Sequence, residues 1–269
     1  LLITHNQRGD GYEGALNAVQ EEAGRSRNFD AQHNLIQFQN ALRSTFAKMD
    51  AAFIRMVGID FGNDRAASVR DFLARFDAIF TLNHDLLLER HYLAAFNPSP
   101  TRNGAALPGI RQPHPQLGEW EHDRWLASRW TVEDEPPDMT HWARTQPVYK
   151  LHGSTNWQPS NGRDLLIMGG QKAKAIRESK LLSWYHDEFA RWLSLPDTRL
   201  MTIGYSFLDS HINAPILSAK GLGVFIVDPS GMDVGLTPRE RGAQIPIPSR
   251  IKDMKTIGVS KRPLATTFG

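Results

Sequence analysis

Four stretches of this sequence join a short apolar run to residues that can do chemistry: Thr81-Leu82-Asn83-His84-Asp85, His152-Gly153-Ser154, Gly204-Tyr205-Ser206-Phe207 and Asp228. Together they supply an amide, imidazoles, carboxylates, hydroxyls and glycines. An imidazole changes charge near neutrality and can exchange protons there. Glycine and short hydroxyl residues let backbone N–H groups come close to an anion. In an open α/β sheet, ligands bind beyond the carboxyl ends of the strands. Such groups at the end of every run are an unusual coincidence for pure scaffolding.

The elements that must position them follow from the apolar pattern. Asp77–Thr81, Pro147–Leu151, Arg199–Ile203 and Gly223–Val227 are continuously apolar and rich in β-branched residues, as expected of strands covered on both faces in a parallel sheet. Leu35, Phe38, Leu42, Phe46, Met49 and Phe53 recur every three or four residues, predicting one long helix with an apolar stripe. Leu86, Leu87, Leu93 and Phe96 follow the first run, and Leu181, Tyr185, Phe189 and Trp192 precede the third. Strand and helix in alternation give an α/β class with a Rossmann-like parallel sheet. Residues from about 14 to 70 read as a helical insertion. The stretch from about 97 to 146, rich in Pro, Trp, His and charge, reads as an irregular excursion over one face of the sheet. The whole of 1–269 reads as one domain.

Each candidate also has a plainer explanation. His152 can hold a turn together, Asn83 can satisfy one, and Asp85 can cap the helix expected from Leu86. Asp209 and Asn213 are read as local caps, and Pro215 as ending or kinking a helix begun at Asp209. Trp142 and Trp157 are read as packing residues. His84, His91, His114, His122, His141 and His186 show no metal-ligand spacing. Glu119-Trp120-Glu121-His122-Asp123 suggests a nuclease, but a solvated loop explains it better.

Composition narrows the choice. With 41% apolar and 22% charged residues the chain can bury a core and is not a disordered segment. It has no Cys, which rules out thiolate zinc sites and disulfides and favours a reducing, cytoplasmic setting. A formal charge of +2 without basic runs does not call for nucleic acid, except indirectly. No apolar run is long enough to span a membrane.

Three of the strand-end segments carry a resemblance. Thr81-Leu82-Asn83-His84-Asp85 resembles the TQNID or TTNYD segment of SIR2-like (sirtuin-fold) proteins, and Lys150-Leu151-His152-Gly153-Ser154 resembles their KLHGS segment. Ile203-Gly204-Tyr205-Ser206-Phe207-Leu208-Asp209 is similar to their GYSF-x-D segment, and Ser210-His211-Ile212-Asn213 continues it as in bacterial SIR2-like defence proteins. The three occur in the family's order over roughly residues 75 to 230. The resemblance implies the sheet type shared by SIR2 and deoxyhypusine synthase, with NAD+ as substrate. It implies that Asn83 contacts the nicotinamide ribose and positions the attacking water, and that His152 is the general base. Asp85 would shape the nicotinamide side, Gly204 and Ser206 would lie near the phosphates, and Asp228 would bind the adenosine ribose, with Thr81, Gly153 and Tyr205 as further cofactor-binding residues.

Two departures shape the expected activity. Sirtuin deacylases carry a zinc module held by four Cys, which this sequence cannot build, so no metal is expected and water becomes the acceptor. The family's opening Gly-Ala-Gly phosphate loop has no counterpart in Leu1-Leu-Ile-Thr4 or His5–Gly9, which implies that this chain starts downstream of it. The expectation is an NAD+ glycohydrolase, with the resemblance implying an oligomeric antiphage effector set off by a partner protein. The alternatives are an NAD-dependent protein deacylase and a catalytically silent module that binds NAD+ or ADP-ribose.

Overall fold

The structure, a computed structural model, describes residues 11–25, 29–55, 69–93, 104–111, 129–160, 165–169, 172–227 and 255–260. The chain divides into two compact units, residues 1–60 with 68–185, and residues 61–67 with 186–269.

In the first unit two helices come first, α1 (Gly11–Arg25) and α2 (Phe29–Arg55). The stripe predicted for residues 35–53 does lie on one 27-residue helix. Its cover is partial: Leu35, Phe38, Leu42 and Phe46 are half-buried, while Met49 is exposed. Near its end that face buries a charged residue, Asp50, a helical turn beyond Phe46. A short helix, α3 (Val69–Leu73), leads to strand β1 (Ile79–Thr81), after which the chain winds into a π-helical turn at Glu89–Leu93.

The residues between 97 and 146, which lack periodicity, nevertheless contribute strands: β2 (Gly104–Ala106), β3 (Ile110–Arg111) and β4 (Trp130–Val132), then a 3-10 turn at Met139–Trp142. Strand β5 (Thr145–Lys150) is the centre of the unit, pairing in parallel with β1 on one side and β2 on the other. All of its residues after Thr145 are buried, as continuous apolarity predicts for a central strand. Strand β6 (Trp157–Gln158) pairs in parallel with β4, itself antiparallel to β3, in a small separate sheet.

Helix α4 (Lys172–Glu178) precedes α5 (Lys180–Leu193). The spacing of Leu181, Leu182 and Tyr185 puts all three in the core. There Tyr185 meets Tyr149 of β5 edge-on at 4.9 Å and Trp157 at 6.0 Å, while Tyr149 stacks on its register partner Phe80 at 4.8 Å. The Tyr185 hydroxyl donates to the Pro108 carbonyl at 2.6 Å, which is how a phenol tolerates complete burial. Trp157 is thus a packing residue, as its type suggests.

The second unit contains the rest of α5, where Phe189 and Leu193 are buried. A parallel sheet follows, from β7 (Arg199–Ile203), β8 (Gly223–Val227) and β9 (Lys255–Ser260), with β8 in the middle. Helix α6 (Ser210–Ser218) connects β7 to β8. Pro215 neither starts nor ends this helix: the helix runs three residues past it, and the Pro215 carbonyl still accepts the Ala219 N–H at 3.1 Å. In a helix this short the ring removes one hydrogen bond without stopping the turn.

The α/β class and the parallel strands match the sequence. The single parallel sheet it suggested is, among the described residues, two parallel three-stranded sheets and a small mixed one. Among those residues no helix is long and apolar enough to cross a membrane.

Candidate active site

Strands β1 and β5 run side by side with Thr81 opposite Lys150, and the Leu151 N–H closes the ladder on the Thr81 carbonyl at 2.9 Å. Asn83 and His152 each lie two residues beyond that last rung, on neighbouring strand tips. The Thr81 hydroxyl accepts the Asn83 N–H at 3.1 Å, turning the chain out of the sheet. Asn83 is exposed, whereas His152 is 3% exposed. The ring centre of His84 is 6.0 Å from that of His152, and its carbonyl accepts the Thr155 N–H at 3.1 Å and the Ser154 hydroxyl at 3.3 Å.

The β5 turn requires glycine. Gly153 has φ +76, and a Cβ there would stand 2.0 Å from the Leu165 carbonyl oxygen. That approach lets the Ser154 N–H reach the same carbonyl at 3.1 Å, while the Ile167 N–H bonds the His152 carbonyl at 2.9 Å. The backbone of His152–Ser154 is held on both edges.

Charged groups are buried beneath these turns. The Lys150 ammonium donates to Glu89 Oε1 at 2.7 Å and to the Asp85 carbonyl at 2.5 Å, with the two side chains 1% and 0% exposed. Burial pushes the Glu89 carboxyl above its usual range, with the Lys150 ammonium acting against it. Asp50 of α2 accepts the Leu86 N–H on Oδ1 at 2.8 Å and the Thr155 hydroxyl on Oδ2 at 2.9 Å. Its carboxyl is likewise raised by burial, against the pull of those two hydrogen bonds. Asp85 accepts the Leu87 N–H at 3.0 Å, the capping role foreseen for it.

The third motif follows β7 in the second unit. Gly204 adopts φ +64, and a Cβ at this position would meet nothing within 4 Å. Its N–H completes the sheet on the Val227 carbonyl at 2.9 Å. The Tyr205 hydroxyl donates to Asn213 Oδ1 at 2.7 Å, and Asn213 Nδ2 donates to the Phe207 carbonyl at 2.8 Å. That bracket holds buried Phe207 at φ +57, a conformation disfavoured away from glycine. Burial pushes the Tyr205 phenol far above its usual range, helped by nearby Asp209. Ser206 is exposed. Asn213 therefore holds its own loop, as expected. Asp209 stands at the N-cap of α6 without a side-chain cap bond, and its carbonyl accepts the Ile212 and Asn213 N–H groups.

Of the candidate residues, Thr81, Asn83, Asp85, His152 and Gly153 gather at the β1 and β5 tips, and Gly204, Tyr205 and Ser206 at the β7 tip. Asp228, the 119–123 cluster and residues 1–9 lie outside the described residues. Sequence patterns missed the supporting charges Asp50, Glu89 and Lys150. A signal existed for each: Asp50 interrupts the apolar face of α2, Glu89 follows Leu86-Leu87-Leu88, and Lys150 ends a strand otherwise covered on both faces. A charge inside an apolar pattern marks a buried partner.

The SIR2-like domain family matches residues 77–223, more than half of the chain, from just before β1 to the first residue of β8. The chain belongs to this family, whose members are NAD-dependent enzymes that bind NAD+. No curated protein matches it.

Proposed function

We propose that this chain hydrolyses NAD+ to nicotinamide and ADP-ribose. The observation that supports the reading best is the shared rung: Thr81 faces Lys150, so an amide and an imidazole leave adjacent parallel strands at the same height. The glycosidic bond between ribose C1′ and the nicotinamide nitrogen breaks, its electron pair neutralising the pyridinium as nicotinamide leaves. A water oxygen bonds to C1′, and its proton passes to His152 and then to solvent. Asn83, exposed at its tip, holds that water and the ribose, and its amide oxygen stabilises positive charge developing on the sugar.

Thr81, Asp85 and Gly153 set the backbone around the nicotinamide side. Gly204, Tyr205 and Ser206 serve the phosphates, a role in keeping with the empty space beside Gly204 and the exposure of Ser206. Asp228 binds the adenosine ribose. None of the 269 residues is Cys, so no thiolate cage for zinc frames an acyl-lysine cleft, and water is the acceptor. By resemblance, the enzyme works in the cytoplasm as an antiphage effector that depletes NAD+ once a partner protein or self-assembly switches it on.

The test is to incubate the protein with NAD+, alone and with candidate activating partners, and to follow nicotinamide and ADP-ribose. Release of both, abolished by Asn83→Ala and by His152→Ala, is expected. Turnover only with an acyl-lysine peptide points to deacylation, and NAD+ binding without turnover points to a silent sensor; either result overturns hydrolysis.

A further inference from the structure

Asn83 and His152 sit on two separate turns, and a cleavage reaction needs those turns in fixed register. The Thr155 N–H and the Ser154 hydroxyl both donate to the His84 carbonyl and join the turns directly. A second connection comes from outside the sheet. Asp50 on α2 is 6% exposed and divides its carboxylate between them, Oδ1 taking the Leu86 N–H of the β1 turn and Oδ2 the Thr155 hydroxyl of the β5 turn. One helical turn earlier, Phe46 meets the His84 ring edge-on with centres 5.7 Å apart. Helix α2 therefore touches both tips through two residues on one face, and one of them is a charge kept in an apolar place.

Burying a carboxylate is costly, and as a mere fastener it is a poor choice, since apolar contacts would anchor the helix better. A carboxylate does something an apolar group cannot: it fixes the distance between two donors by accepting one on each oxygen. We infer that Asp50 is a positioning residue, a clamp from α2 that sets the separation of the turns carrying Asn83 and His152. A change in the placement of α2 is then felt at both turns together.

This inference rests on the NAD+-cleaving reading, but its test separates the two. Nicotinamide release is measured over a range of NAD+ concentrations for the full chain and for Asp50→Ala, Asp50→Asn, Thr155→Val and Thr155→Ser. Asp50→Ala is expected to lower kcat roughly 10- to 100-fold, the scale of small misplacements of reacting groups. KM should stay within about threefold, because Asp50 is buried and acts through the two turns. Asp50→Asn is expected to recover most of the rate, its amide oxygen accepting the Leu86 N–H and its amide N–H donating to the Thr155 hydroxyl. Thr155→Val should lower kcat and Thr155→Ser restore it, which keeps the test alive if Asp50→Ala folds poorly.

Amide hydrogen exchange is followed in parallel over residues 83–87 and 152–156. Faster exchange of both segments in Asp50→Ala supports the clamp. An active wild type beside Asp50→Ala and Thr155→Val proteins of unchanged kcat overturns it, and so does faster exchange confined to one segment or to neither. A wild type that releases no nicotinamide overturns the proposed hydrolysis, and exchange alone then decides whether Asp50 joins the turns.

Discussion

Replacing Lys150 by Met keeps its length and removes its charge, leaving Glu89 ionised and buried. The two side chains are 1% and 0% exposed, so solvent screening takes little from their interaction. Removing one partner of such a pair costs about 3–5 kcal/mol. Loss of the hydrogen bond to the Asp85 carbonyl places the value toward the upper end. At a denaturant sensitivity of about 2–3 kcal/mol per molar urea, the unfolding midpoint should fall by roughly 1.5–2 M. The deficit has a definite pH dependence. Glu89's carboxyl already binds its proton more tightly in the folded chain than its ordinary value of 4.5 allows, and losing the ammonium strengthens that preference. Stability from that proton is fully present below 4.5 and is lost as pH rises through the raised folded value. The Lys150→Met deficit is therefore largest at neutral pH and above, and shrinks on acidification. The double variant Lys150→Met, Glu89→Leu should regain most of the loss, since an apolar pair of similar volume is often as stable as the ion pair. Urea titrations of wild type, Lys150→Met, Glu89→Leu and the double variant at several pH values make the measurement. Additive single effects, or a deficit that does not change with pH, would refute the reasoning.

The two turn glycines should respond differently to a methyl group. Gly153→Ala meets both positive φ and a backbone oxygen 2.0 Å away, so a loss above about 3 kcal/mol, or failure to fold, is expected in thermal unfolding. Gly204→Ala has room and only its φ to resist it, at about 1–2 kcal/mol. Asn213→Ala strands the buried Phe207 carbonyl and leaves the Tyr205 hydroxyl its longer bond to the Asp209 carbonyl at 3.3 Å, which should cost about 1–3 kcal/mol in chemical denaturation and speed amide exchange after β7. Asn83→Ala lies on an exposed side chain, so its stability should stay within about 0.5 kcal/mol of wild type, a check that any loss of turnover is chemical.

Much of the scaffold is legible in the sequence because long apolar runs have few alternatives. Arg199–Ile203 and Gly223–Val227 are strands with the bounds the pattern suggests, and the helix over residues 35–53 follows from its stripe. The short strands β2, β3, β4 and β6 are not legible. Gly104-Ala105-Ala106 has no strand-forming side chains and becomes a strand only because the edge of β5 offers it hydrogen bonds. The site divides in the same way. Residue types at the strand tips can be read directly, as can the need for glycine after His152. The support beneath them cannot, because Asp50 meets Thr155 across 105 residues and Lys150 meets Glu89 across 61. Local pattern shows that those charges are out of place, but only the folded chain shows which partner keeps each one there.

The central claim is that Asn83 and His152 serve one reaction from neighbouring strand tips. Its most direct test is nicotinamide release from NAD+ by wild type, Asn83→Ala, His152→Ala and the double variant under an activating condition. The account predicts release by wild type only, with the double variant no worse than either single, because residues acting as a unit fail together. Release that survives either substitution, or two partial losses that multiply in the double variant, would contradict it.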